Sequence, residues 1–500
     1  MKSKFITDPL VDIRLCPAPS FDPDMTEVTF PDMHANALLL LYFLVRNGFV
    51  EISRQDYAKF ALLYSRPELH PVFYKDNIAP ATILSSESLL KQVFVEFKEL
   101  LTHIKVVDKK RLIRLIGDEL VDRGVNDYFV IKLIALLDEQ GALFEIVASN
   151  HGLEFVDACE HFAANNNTFI VTKLDNLKFG NSMYALQRSI TLGVVQAREV
   201  LDFYNNVYIK HLKIVSYTLD YKENDIQIFS HAGLGFEQIQ ALSERLGVRW
   251  STHCVLDIAK NIDLINWAFS KYANDNKVHE LEFDKIFEET LDTDKWIPNQ
   301  VIFNIVCNRE YAHLQRTSDV FKVTFVHGHD SNDPDPAHVT LDSNLGKFNY
   351  YFGQYDCYTT NGRQVAVILD TWMAKLDDIA SKAVALRLQG RVRAGNETHQ
   401  IYLDLSKKTM DLYPSSICEF YDQCYQLLID AGKILAKDLE WRNCIIQAAL
   451  CLKELVNEPV CENVSRTSNS FLFFKTIERC YGIENKPLSS MTPQDSFSLS

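Results

Sequence analysis

LIRLIGDELVDRG, residues 112–124, carries the reading of the fold. A short run dominated by Leu and Ile stops at Gly117, and Asp118, Asp122 and Arg123 follow at once. A run of this length bounded by polar residues reads as a buried strand, with function in the loop at its carboxyl end. The same order recurs as LFEIVA (143–148) before Ser149-Asn150-His151, QIFS (227–230) before His231, and VTFV (323–326) before His327 and His329. Between the first two runs, VIKLIALLDEQG (130–141) has helical spacing and ends at Gly141. Alternating strands and helices of this kind predict a layered α/β core whose site lies in the loops after the strands.

Working outward, PDMHAN (31–36) supplies another polar cluster, with Asp32 and His34. The 84 positions from His34 to Asp118 are too many for one strand-helix step, so an inserted helical element is expected around 46–110. Its candidates are a short helix from Gln55 to Tyr64 and an amphipathic one from Ser88 to His103, either a lid or partner-binding arm or a helix packed on the core edge. Residues 236–300 also read as largely helical. The catalytic part is expected to span 1–370. FYDQCYQLLIDAGKILAKDL and NCIIQAALCLKELVN then predict a separate helical domain over 375–485, and the Ser- and Pro-containing stretch 486–500 reads as a disordered tail.

Composition bounds the function. With 500 residues, 47% of them hydrophobic, the chain can bury a large core and divide into two or three domains. The net charge of −15 argues against nucleic-acid binding, which needs basic grooves. The cluster Lys109, Lys110, Arg111 and Arg114 reads as a solvated helix face. Eleven cysteines without a CxxC pair, and no cleavable leader at the start, predict reduced thiols in a soluble, cytoplasmic protein. ALLLLYFLV (37–45) is too short to span a bilayer.

A lone histidine beside an apolar run is ordinarily a packed or loop histidine, but five such motifs in order can build one site. Two divalent metals about 3.5–4 Å apart can clamp a phosphate and activate water, and a carboxylate suits the bridging position because its two oxygens can serve two ions. Oxygen and nitrogen donors without thiolates suit Mn, Fe or Zn rather than a closed structural zinc site.

Asp32-x-His34, Gly117-Asp118 with Asp122-Arg123-Gly124, Asn150-His151, His231-Ala-Gly and Gly328-His329 resemble the signature of the phosphoprotein phosphatase family of metallophosphoesterases. The resemblance covers about residues 25–370 and implies a layered metallophosphoesterase β-sandwich flanked by helices. It implies two metals, with Asp118 bridging, Asp32 and His34 completing one ion, and Asn150, His231 and His329 the other. It further implies a hydroxide bridging them as nucleophile, Arg123 and Arg309 on the phosphoryl oxygens, and His151 protonating the leaving alkoxide with Asp122 orienting its ring. His327, two before the last ligand, is expected not to bind metal, and Asp342 in LDSNLGKF is expected to be structural. The chain departs from the pattern at Pro31 and Ala35, which replace glycines, at Ser149, which replaces a glycine, and at Gly152, where a glutamate is usual. The loop from Asp118 to Asp122 holds three residues instead of the usual two, and Glu154 is a candidate for the missing carboxylate. Cys357 and Arg363 have the spacing of cysteine-dependent tyrosine phosphatases but lack that loop's glycines and preceding histidine, so the spacing reads as a coincidence.

The divergent motifs, insert and helical addition also resemble the Wip phosphatase effectors of Legionella. That likeness implies action on host phosphoproteins after delivery into the host cell without a cleaved signal peptide, with the C-terminal helices directing a host-protein or membrane-associated partner. Phosphoserine or phosphothreonine hydrolysis is the leading expectation and phosphotyrosine an alternative acceptor. Hydrolysis of a small phosphoester or dinucleoside polyphosphate, and a catalytically dead binding scaffold, are the others.

Overall fold

The computed structural model describes residues 1–66, 69, 80–164, 181–220, 223–281, 301–309, 314–329, 338–347 and 350–362, with scattered positions between 381 and 403. One compact unit comprises Met1–Trp250 and Leu264–Gln364, and a second comprises Ser251–Asp263 and Val365–Ser500. The helices expected over 375–485 and the tail at 486–500 lie outside the described residues, apart from those scattered helical positions.

The chain begins with β1 (Ser3–Asp12), β2 (Glu27–Phe30) and α1 (Ala37–Arg46). The insert follows: β3 (Val50–Glu51), α2 (Arg54–Tyr64), α3 (Pro80–Leu101) and β4 (Lys105–Val106). Next come β5 (Leu112–Leu115), α4 (Asp127–Glu139), β6 (Phe144–Val147) and α5 (Asn150–Ala164). A helical stretch then runs through α6 (Asn181–Thr191), α7 (Ala197–Phe203), a π turn at Tyr204–Tyr208 and α8 (Ile209–His211). Strands β7 (Leu212–Lys213), β8 (Ser216–Asp220) and β9 (Asp225–Ser230) lead to α9 (Phe236–Arg245), α10 (Val255–Asn274) and α11 (Val301–Cys307), and β10 (Lys322–His327), β11 (His338–Thr340) and β12 (Phe352–Thr360) complete the order.

These elements form a mixed α/β fold with two main sheets, ordered β1-β12-β2-β5-β6-β7 and β11-β10-β9-β8. Within the first, β2, β5, β6 and β7 run parallel, whereas β12 pairs antiparallel with both β1 and β2. In the second, β9, β10 and β11 are parallel and β8 is antiparallel. Ile116, Val147, Phe229, Val326, Leu341 and Tyr358, drawn from both sheets, form one buried cluster. The runs read as strands are strands, and every expected ligand loop leaves the carboxyl end of a parallel strand: β2, β5, β6, β9 or β10.

Local chemistry sets the helix starts. Asn36 accepts from the Leu38 and Leu39 N–H groups to cap α1, Ser53 accepts from Asp56 to cap α2, and Asn126 accepts from Tyr128 to cap α4. The apolar stretch 37–45 is a helix buried on all sides within the fold. The insert holds the two expected helices but also the antiparallel β3–β4 pair, whose two-residue strands are too short to leave a pattern.

The basic cluster is solvated only at Lys109 and Lys110, which are exposed, and none of it is helical. Arg114 lies within β5 and is fully buried; Arg111 is buried, bound to Asp108 and to the Asn47 carbonyl. Arg114 donates to Glu145 and Thr29 in its own sheet and to Ser216 Oγ (2.9 Å) and Thr218 Oγ1 (3.2 Å) in the other, and also reaches Glu27 Oε2 at 3.0 Å. Its guanidinium lies over the Phe229 ring. Residue spacing alone missed this because the paired carboxylates come from other strands.

Candidate metal centre

The first two polar loops are joined through their backbones. Met33 N–H donates to the Gly117 carbonyl at 3.1 Å and Ala35 N–H to the Asp118 carbonyl at 2.7 Å. His34 (φ 51°), Ala35 (φ 52°) and Asp118 (φ 51°) all adopt left-handed backbone, so Ala35 takes the conformation a glycine would adopt at lower cost. Where glycines remain, they make room for ligands: a Cβ at Gly117 would strike His231, and one at Gly328 would strike Asp32 Oδ1. The fourth and fifth loops are tied in the same way, with the N–H groups of Gly328 and His329 both donating to the His231 carbonyl.

Ser149 explains one departure from the family pattern. Its hydroxyl accepts from Gly152 N–H at 2.9 Å, capping α5, and from Asp118 N–H at 3.0 Å. The cap therefore binds the turn bearing Asn150 and His151 to the loop bearing Asp118.

The loops bring the expected ligands together in two overlapping groups: Asp32, Asp118, His231 and His329, and His34, Asp118 and Asp122. In each group the ligating atoms lie within 4.8 Å of one another, and Asp118 belongs to both. Asn150 adjoins the first group through Oδ1, 2.9 Å from His231 Nε2. The grouping differs from the family pattern in one respect, since Asp32 stands with His231 and His329 while His34 stands with Asp122. Three buried carboxylate oxygens, Asp32 Oδ1, Asp118 Oδ1 and Asp122 Oδ1, have no hydrogen-bond donor among the described residues, the nearest imidazole nitrogens standing 3.4 Å, 3.4 Å and 3.6 Å away. Buried, donorless oxygens converging beside imidazoles fit divalent cations, and the nitrogen and oxygen donor set suits the borderline metals.

The electrostatics follow from this crowding. Burial opposes a charge on His151, but the facing carboxylates of Asp118 and Asp122 outweigh it and lift its pKa to about 10. Burial likewise opposes protonation of His231, and Asp118 and Asp32 raise it to about 9. Both His231 nitrogens face acceptors, the Ile116 carbonyl at 3.0 Å and Asn150 Oδ1 at 2.9 Å. His34 is also raised, because Asp122 at 3.1 Å overcomes its burial, and its other nitrogen donates to the Ser343 carbonyl at 2.9 Å. Asp118 is raised by burial despite the histidines. Asp32 is lowered, since His231 overcomes its burial. His329 is the exception among the imidazoles: burial and the nearby His231 and Arg309 charges push it down.

Around the centre, Arg123 Nη1 lies 3.7 Å from Asp122, and Arg309 Nε donates to His329 Nε2 at 3.2 Å. His151 lies between two carboxylates: Nε2 is 3.6 Å from Asp122 Oδ1 and Nδ1 is 3.4 Å from Glu154 Oε2. Glu154, one turn along α5, thus reaches the imidazole. His327 is in neither ligand group and stacks on His338. Asp342 pairs with Lys347 at 3.2 Å, and burial raises its pKa to about 6. The turn between them binds the first loop twice, through Ser343 to His34 and through the Gly346 carbonyl to Asn36. Burial pushes the Cys357 thiol up to about 12, which suppresses the thiolate that a cysteine nucleophile needs; Arg363 lies outside the described residues.

A fold with ligand loops on the carboxyl ends of two sheets, converging on a shared aspartate, defines a phosphatase-type site, and the chain belongs to the WipA-like phosphatase family: residues 112–347 match the family described as WipA-like, phosphatase domain. Among solved structures, it is similar to the phosphatase domain from the Legionella effector WipB at 45% identity and a TM-score of 0.56, over 61% of this chain and all of that one. No curated protein matches the chain. Among the described residues no helix is long and apolar enough to cross a membrane.

Proposed function

We propose that the chain is a metal-dependent phosphoprotein phosphatase acting on phosphoserine and phosphothreonine, built on a metallophosphoesterase sandwich. The observation that carries this reading is the convergence of three donorless buried carboxylate oxygens with the imidazoles of both sheets. Asp32, His34, Asp118, Asn150, His231 and His329 would hold two divalent ions, Mn foremost with Fe or Zn as alternatives. Bound there, the ions supply Lewis-acid stabilisation of the phosphoryl charge and activation of water. Arg123, beside Asp122, and Arg309, beside His329, would hold the phosphoryl oxygens by charge-assisted hydrogen bonds. In-line attack of water forms one P–O bond as the ester P–O bond breaks; His151 gives a proton to the departing alkoxide, and the proton that the water loses goes to solvent, from which His151 is reprotonated. Asp122 and Glu154 hold the His151 ring from either side.

The likeness to a Legionella effector domain supports the further reading that this enzyme acts inside a host cell, with the residues after about 370 directing its partner or location. Phosphate release from matched phosphoserine, phosphothreonine and phosphotyrosine peptides, using chelator-stripped protein with and without Mn, tests the proposal. Turnover that needs Mn and falls by about 100- to 10,000-fold in His151→Ala is expected. A preference for phosphotyrosine would reassign the acceptor. Turnover of nucleotides alone would move the substrate to small phosphoesters, and Mn binding without turnover of any phosphoester would leave a scaffold.

A further inference from the structure

Three departures from the usual loop pattern meet at one point beside the centre. Glu119 lies in the lengthened loop between Asp118 and Asp122, and its carboxylate points inward, fully buried. Tyr208, at the end of the π turn, donates its hydroxyl to Glu119 Oε1. Gly152 leaves the space for both: a Cβ there would lie 2.7 Å from the Tyr208 hydroxyl, 3.0 Å from Ser149 Oγ and 3.1 Å from Glu119 Oε1. A side chain at 152 would therefore push the Tyr208 hydroxyl and the Glu119 carboxylate from their present places.

The cost of this arrangement is visible. Val121, in the same loop, is a β-branched residue held at φ 59°, a left-handed conformation such side chains rarely adopt. A π turn is itself uncommon and shifts the helical register by one residue, here ending on Tyr208. Glu119 Oε2 has no donor among the described residues. Strain in the loop, an irregular turn and a buried acid are retained together around one pair.

We propose that Glu119, held by Tyr208, is a positioning residue that sets the Asp118 loop against the first turn of α5. Its carboxylate lies against the amino-terminal turn of that helix, with Oε1 3.1 Å from where a Cβ on Gly152 would stand. That turn carries Asn150 and His151, whereas the loop carries Asp118 and Asp122. Glu119 thus locks together two halves of the ligand set, acting from the loop where Gly152 has no side chain to act from the helix. Ser149 makes the parallel link through its hydroxyl to Asp118 N–H and Gly152 N–H. This inference rests on the metal-centre reading above.

The test is Mn²⁺ binding by titration calorimetry on the full-length, chelator-stripped protein, with thermal unfolding of each stripped variant alongside. Glu119→Ala is expected to weaken Mn binding by about 10- to 100-fold, the range for residues that orient metal ligands. Tyr208→Phe is expected to weaken it by about 10-fold, and the double variant by no more than Glu119→Ala alone. Glu119→Gln, whose amide oxygen still accepts from the phenol, should stay within about threefold of wild type. If Glu119→Ala does not fold, Tyr208→Phe against Glu119→Gln decides the matter. Mn affinity unchanged in Tyr208→Phe and Glu119→Ala, whatever their unfolding temperatures, overturns the proposal, as does full multiplication of the two effects in the double variant. Wild type that binds Mn but hydrolyses no phosphoester would sink the phosphatase reading and leave this inference standing. Wild type that binds no Mn sinks both.

Discussion

Strand β5 and the loop after it bury charge in two opposite ways. Arg114 is surrounded by partners: Glu27, Glu145, Thr29, Ser216 and Thr218 satisfy its guanidinium from both sheets. Four residues on, Asp118 is equally enclosed, yet its Oδ1 has no donor and it faces the carboxylates of Asp32 and Asp122. Desolvation is costly in both places, but the first is compensated by a full set of hydrogen bonds, whereas Asp118 is offset only by imidazole charge, His231 Nε2 standing 3.4 Å from its Oδ1. The contrast separates a structural charge from one arranged for something outside the polypeptide. Exchanging the two properties, by removing a partner from the closed network or a charge from the open one, gives the sharpest tests.

The largest effect is expected at Asp118. Asp118→Asn keeps the shape of the side chain and removes a charge that burial disfavours in the stripped protein, as the raised pKa of that carboxyl states. Catalytic turnover with Mn should fall by at least about 1,000-fold because the shared ligand loses its anionic oxygen. The thermal midpoint of the stripped protein should change little, because relief of the Asp118 desolvation is offset by lost support for the His151 and His231 charges. A stripped variant that unfolds well below wild type would place Asp118 with Arg114 among the structural charges.

Arg114→Met should do the reverse. It leaves Glu27 and Glu145 buried without their guanidinium, a loss of about 3–5 kcal/mol by analogy with other broken buried pairs. Urea unfolding of the stripped protein measures it. Adding Glu27→Gln and Glu145→Gln to Arg114→Met should recover most of that loss, since a network replaced as a whole can be close to neutral. Failure of the triple variant to recover would mean that Arg114 acts chiefly through its packing on Phe229.

The same contrast explains what could be read from the sequence. Asp118, His231 and their companions were legible because each ligand directly follows an apolar strand, so the chemistry is encoded within a few residues. Arg114 was misread because its environment is encoded far away, in partners up to 104 positions distant. The Glu119–Tyr208 pair spans 89 positions and depends on a π turn, for which no periodic signal exists. Likewise, the carbonyl of Ser343 holds His34 across 309 positions. Ser149 is within reach of the sequence, because a serine just before a helical run is a recognisable cap, even though comparison with the family pattern shows it only as a lost glycine.

Proton linkage gives the smallest and most diagnostic effect. In the stripped protein His231 and His151 are raised from 6.5 to about 9 and about 10, chiefly by carboxylates that overcome burial. A raised histidine contributes stability that is fully present below its unfolded pKa and is lost as pH rises through the folded one. His329, pushed down by burial and nearby cations, refuses a proton that the unfolded chain accepts, so it lowers stability as pH falls below 6.5. The stripped protein should therefore lose roughly 5 °C or more in midpoint between pH 6.5 and about pH 9.5. Divalent ions compete with those protons, so Mn affinity should rise over the same interval and offset the loss in the loaded protein. The Arg114 network contains no histidine, so the triple variant, in which Glu27 and Glu145 are also made Gln, should keep the wild-type loss of stability between pH 6.5 and about 9.5. Scanning calorimetry across this range, with and without Mn, separates the two kinds of buried charge, and a flat profile for the stripped wild type would show that the imidazoles are not the cations that the carboxylates hold.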